Sequence, residues 1–215
     1  MATDRLGLYN VALAALGERS LDSLTEDGEP RRELDSVWSR GNGALRYLLE
    51  QGRWKFAMRS QQLDASATVE PEFGFSEAFE LPTDFVHLDM ISADERFSEP
   101  LAAWEMEVGY IWCDVDPIYV RFISDDVDYG ADYAQWPETF TIWAGHWIAT
   151  QIAPRLTSSI NIERLEDKAR KLLLDARGKN AVQSPTRYPP MGTWASARLN
   201  GRTMRDRGKR NTLIG

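Results

Sequence analysis

The chain has 215 residues, 43% hydrophobic and 11% aromatic, with a net charge of −8 and a single cysteine, Cys113. That length and apolar content allow one or two packed domains, and one cysteine excludes an internal disulfide framework. No basic-then-apolar leader opens the chain, and its longest mostly apolar stretch, 140–153, is too short to span a bilayer, so a soluble protein made in the cytoplasm, with no membrane partner, is expected.

Leu6, Tyr9, Leu13 and Leu16 recur at helical spacing, with Thr3 or Asp4 placed to cap the start and Gly17 to stop the helix. After a loop over 19–28, Pro30 suits the first turn of a second helix whose stripe is Leu34, Val37, Gly41, Leu45 and Leu48. Gly41 and Gly43 each cost a helix about 1 kcal/mol relative to alanine, which predicts a bend, a close crossing or a break into two helices there.

At Gly52 the period changes. Trp54, Phe56 and Met58 alternate with Lys55, Ala57 and Arg59, as in a strand with one buried face. Further strand-like runs lie at 79–81, 85–91, 97–104, 110–113 and 118–123, the last two separated by the turn Asp114-Val115-Asp116-Pro117. Short strands so spaced predict a small antiparallel sandwich or barrel. Helical period returns at Trp136-Pro137-Glu138. Phe140, Trp143, Ala144, Trp147, Ile148 and Ile152 share one face until Pro154. A final helix carries Ile162, Leu165, Ala169, Leu172, Leu173 and Ala176, with Glu166–Arg170 and Asp167–Lys171 as exposed pairs, and Gly178 is expected to close it.

Beyond that point the charge reverses. Residues 178–215 hold Lys179, Arg187, Arg198, Arg202, Arg205, Arg207, Lys209 and Arg210 against Asp206 alone, a net +7, leaving −15 on the rest. Prolines, glycines and the lack of apolar period mean that this segment cannot bury enough surface to offset its ordering entropy. The fold class expected is therefore α+β: an antiparallel helical bundle (1–52 and 135–178), an inserted small antiparallel β domain (53–134) and an extended basic C-terminal arm (179–215). The two groups of helices must pack on each other, because neither alone covers its apolar stripe.

Catalytic signatures are missing from the sequence. There is no phosphate-binding glycine loop, no nucleophile elbow and no HExxH. His87 and His146 read as structural residues, and Cys113, between Trp112 and Asp114, reads as a small buried hydrophobe. Asp125, Asp126, Asp128 and Asp132 around Gly130 fit a calcium loop poorly, since Gly130 stands where an oxygen ligand belongs and no glutamate follows six residues on. Phe140, Trp143 and Trp147 could line a ligand pocket, but their spacing is that of a core-facing helical stripe. No enzyme activity, metal or cofactor is expected.

Three stretches point to a family. They are Leu8-Tyr9-Asn10 through Ala14-Ala15-Leu16-Gly17-Glu18, with Leu21, Leu24, Arg31 and Arg32 following; Leu48-Leu49-Glu50-Gln51-Gly52-Arg53-Trp54-Lys55-Phe56-Ala57; and Phe79-Glu80-Leu81-Pro82-Thr83-Asp84-Phe85, with Pro137-Glu138-Thr139-Phe140 at the return to helix. In this order they resemble the tail tubular protein A family, the head-to-tail adaptors of short-tailed bacteriophages, over roughly residues 6–177. The resemblance implies a virion structural protein, twelve copies of which ring the passage between the portal and the tail nozzle. Double-stranded DNA would traverse the channel during ejection without specific binding, and tail fibres are a further candidate partner. Adaptors of this kind anchor on portals through C-terminal arms. The portal-binding residues expected here are Arg187, Tyr188, Trp194, Arg198, Arg202, Arg205, Arg207, Lys209, Arg210 and Leu213: arginines for carboxylates, and Tyr188, Trp194 and Leu213 as apolar anchors. The segment beyond Gly178 matches nothing in the family, so its role rests on its residues. The alternative is a nucleic-acid-binding protein that grips phosphates with its tail; the acidic remainder speaks against it. A tail hydrolase acting on the cell wall has only scattered carboxylates in its favour.

Overall fold

A computed structural model describes residues 4–41, 43–69, 71, 74–156 and 161–184. The fold is α+β, with five α-helices and two three-stranded antiparallel sheets among the described residues. Helix α1 (Arg5–Leu16) starts where the Asp4 carboxylate accepts from the Gly7 N–H at 2.6 Å, and it ends at Gly17, whose φ of 72° glycine adopts without strain. Helix α2 (Glu29–Trp38) has Pro30 in its first turn. The expected second helix divides here. Gly41 (φ 59°) and Gly43 (φ 91°) turn the chain before α3 (Ala44–Glu50) begins, so these glycines break the stripe rather than bend it.

The alternation from Trp54 to Met58 is not a strand. Lys55–Ala57 form a 3-10 turn, closed by Ala57 N–H to the Trp54 carbonyl, and β1 (Met58–Leu63) starts one residue later. Trp54 is fully buried among the helices, with Phe140 edge-on at 4.8 Å and Trp143 stacked at 5.7 Å. Packing against these rings, which come from the other side of the sheets in sequence, outweighs the local period-two signal.

One sheet has the order β1-β6-β3, with β3 (Phe85–Ser92) and β6 (Ile118–Ser124); the other has β2-β5-β4, with β2 (Glu77–Glu80), β4 (Glu105–Glu107) and β5 (Tyr110–Cys113). The expected strand over 97–104 is absent. Phe97 sits at φ 54°, the Asp94 carboxylate accepts from the N–H groups of Arg96 and Ser98, and only Ser92 and Pro100 form an isolated bridge. A turn built on Asp94, and a proline with no donor, leave this run unable to enter a ladder. The strand that does form, β4, follows directly, is three residues long and carries two glutamates. An apolar cluster draws on both sheets: Leu63, Ile91, Ile118, Val120 and Phe122 from one, Phe79, Ile111 and Cys113 from the other. Ile123, on the opposite face of β6, belongs to the helical core instead.

Helix α4 (Glu138–Leu156) packs against α1, α2 and α5 (Ile162–Val182). Helices from both ends of the described chain thus share one core, as their uncovered stripes require. Two expected stops do not stop. Helix α4 runs two residues past Pro154, and α5 continues through Gly178 to Val182. The reason for the second is Asn180, buried against the chain between α3 and β1. Residues 179–182, expected to open the arm, are therefore helical. Of the two expected surface pairs on α5, Arg170 reaches Asp167 at 3.2 Å rather than Glu166.

Candidate functional site

The ten residues expected to bind the portal, Arg187, Tyr188, Trp194, Arg198, Arg202, Arg205, Arg207, Lys209, Arg210 and Leu213, all lie outside the described residues. The other candidate residues lie in the described part of the chain.

Its polar side chains are engaged in holding the fold. His87 sets Nδ1 against the Leu88 carbonyl at 2.9 Å and Nε2 against the Gly52 carbonyl at 3.2 Å. His146 donates from Nδ1 to the Ile142 carbonyl at 2.8 Å, and its buried Nε2 has no partner. Burial pushes this imidazole below its ordinary range, and the charge of Lys168 adds to the effect. Cys113 is buried, with Sγ 3.4 Å from the Val115 carbonyl, and burial pushes its thiol up, away from the thiolate a nucleophile needs. In the acidic loop, Asp126 accepts from the Asp128 N–H, Asp132 from the Ala134 N–H, and Asp125 faces Arg46 at 3.2 Å. Among the described residues no group of three or more His, Cys, Asp or Glu is arranged to hold a metal ion, and no described helix is long and apolar enough to cross a membrane.

Charge is distributed unevenly in a way the sequence reading did not isolate. Residues 60–135 hold 18 acidic side chains and only two basic ones, Arg96 and Arg121, a net −16. The cations that answer them come from α3, from β1 and from the connection between the two. Arg46 pairs with Asp125, Arg53 with Asp89, and Arg59 with Asp84 at 2.8 Å. Asp84 also accepts from the Ser124 hydroxyl. Burial alone would raise this carboxyl, but the Ser124 hydroxyl and the Arg59 guanidinium overrule it and hold it below the usual carboxylate range. Three arginines from residues 46–59 thus tie down three aspartates of the acidic segment.

Several apolar side chains of the described residues are exposed, Val127, Leu174 and Val182 among them, and two apolar surfaces stand out by their shape. The first is a groove of about 300 Å³ between α3, α4 and α5, walled by Tyr47, Trp147 and Leu173 with Gln51, Glu166 and Arg170 at its polar margin. Tyr47 stacks on Trp147 at 4.8 Å and remains 45% exposed. Phe140 and Trp143, by contrast, sit in the core as their helical spacing predicts. The second is the tip of the β4–β5 hairpin, where Val108 is 94% exposed beside Met106. Neither was legible in the sequence: the groove joins residues a hundred or more positions apart, and Val108-Gly109 is not the Asn-Gly or Asp-Gly pair that marks a two-residue turn.

Neither any known family model nor any curated protein sequence matches this chain.

Proposed function

We propose that this protein is a virion structural protein, the head-to-tail adaptor of a short-tailed phage, forming a ring between portal and tail nozzle with the DNA channel through its centre. The observation that carries the reading is where the family-like stretches fall in the fold. Trp54, in the second stretch, is the fully buried centre of a core shared by helices from before and after the sheets. Asp84, in the third, bonds Arg59 and Ser124 where the sheets meet the helices. Phe140, at the return to helix, packs on Trp54. The chain therefore resembles the adaptor family at the residues on which its own architecture depends.

Charge supports the same reading. A segment of net −16 cannot supply the phosphate contacts that retain DNA, so it suits a passage through which DNA must slide. The basic residues of the arm suit carboxylates on a portal, where arginine forms paired charge-assisted hydrogen bonds. No catalytic step or cofactor enters this function. The virion, at the head-to-tail junction, is the proposed location.

The test is assembly on purified portal rings, followed by electron microscopy, for the full chain and for a chain ending at residue 184. The full chain is expected to add a ring of density to the portal face, and the shortened one to remain free. Undiminished decoration by the shortened chain would show that the arm is not the anchor; no decoration by the full chain would sink the adaptor reading. Titration of duplex DNA against salt separates the alternative: tight binding with a steep salt slope would make the arm a phosphate grip.

A further inference from the structure

The β4–β5 hairpin turns through Val108 (φ 46°) and Gly109 (φ 83°), a two-residue turn with positive φ at both positions. A β-branched residue is strained there, whereas asparagine or glycine would not be. Among the described residues the Val108 side chain gains nothing in return, being 94% exposed. Strain without an internal contact points to a contact elsewhere. Met106, 44% exposed, stands beside it on an edge strand whose Glu105 and Glu107 are both exposed. Those carboxylates disfavour pairing along the strand edge, which leaves the apolar tip as the surface to be covered.

We propose that the tip of this hairpin inserts into the Tyr47–Trp147–Leu173 groove of a second copy of the chain. The tip projects and the groove is concave, so the contact joins different faces of two copies, either reciprocally in a pair or head to tail in a ring. Electrostatics selects this contact over one between the two hairpins. Residues 60–135 carry −16, so two such segments repel each other, while residues 1–59 and 136–184 together hold 16 basic and 14 acidic side chains. Arg170, on the groove wall and 73% exposed, offers Glu107 a cation. The groove volume of about 300 Å³ lies at the lower end of small-molecule pockets and is enough to take one or two side chains. The inference deepens the ring reading by naming a contact between neighbours, but it requires only that two copies meet.

The experiment uses the full chain with a photoreactive benzoyl-phenylalanine at position 108, irradiated at concentrations where sedimentation shows association. Crosslinks to peptides containing Tyr47, Trp147 or Leu173 of another copy are expected. Val108→Asn should fold at least as well as the parent, because it relieves the turn, yet weaken self-association by at least about tenfold. Glu107→Arg and Arg170→Glu should each weaken association and together restore it. Crosslinks confined to other surfaces, unchanged association of Val108→Asn, or a chain monomeric at every concentration would overturn the proposal. A ring still seen on portals with Val108→Asn would remove this contact and leave the adaptor reading standing, whereas failure of the parent chain to decorate portals while still crosslinking as expected would do the reverse.

Discussion

Asn180 donates from its side-chain amide to the Arg53 carbonyl at 2.7 Å and accepts from the neighbouring Lys55 N–H at 2.9 Å. One buried side chain near the end of α5 thereby satisfies two backbone groups where the chain leaves α3 for β1. Asn180→Ala would strand both, at a cost of about 2–4 kcal/mol. Thermal unfolding would read this as a clear fall in Tm, and an unchanged Tm would mean that water replaces the amide.

The same contact separates two truncations. A chain ending at residue 184 keeps Asn180 and is expected to unfold at the temperature of the full chain. A chain ending at Gly178 loses it and is expected to unfold well below. Equal midpoints for the two would show that the last turn of α5 contributes nothing.

A Cβ on Gly145 would lie 2.4 Å from Val11 Cγ1 and 2.8 Å from Val11 Cβ, which fixes how closely α1 crosses α4. Gly145→Ala is expected to cost about 1–3 kcal/mol through overpacking. Val11→Ala added to it should recover part of that loss, a non-additivity that a denaturant double-mutant cycle would measure.

Two groups give stability an acid dependence of the same sign. Burial, helped by Lys168, lowers the His146 pKa from 6.5. The unfolded chain therefore takes up this proton first, and stability falls as pH drops below about 6.5 toward the folded value. His146→Gln should flatten that part of the curve. Asp84, also held below its ordinary range, contributes stability that is present above about pH 4 and lost as pH falls through its folded value. Asp84→Asn should remove that lower step at the cost of the pairing with Arg59. Chemical denaturation between pH 3 and 8 tests both, and parallel curves for parent and variants would contradict the assignments.

Much of the fold was legible because the signals were local. Asp4 and Gly17 bound α1, Pro30 opens α2, and the runs at 85–91, 110–113 and 118–123 are strands because alternation and turn residues agree there. Two of the errors share one cause. Trp54 and Phe56 alternate like a strand but are claimed by Phe140 and Trp143. Gly178 looks like a stop, but Asn180 two residues later has a partner 127 positions away. Each misreading is a local preference of about 1 kcal/mol overruled by a long-range contact worth more.

By itself the sequence determined an α+β chain whose apolar stripes oblige early and late helices to meet, with its negative charge gathered between them and its positive charge at the end. Charge, composition and short-range period are properties of the chain in any conformation, so they survive without coordinates. Only the tertiary structure decided which rings fill the core, which arginines meet which aspartates, and that a groove and a hairpin tip remain uncovered. Those outcomes depend on distances between residues far apart in sequence, and packing sets such distances only once every element competes for the same interior.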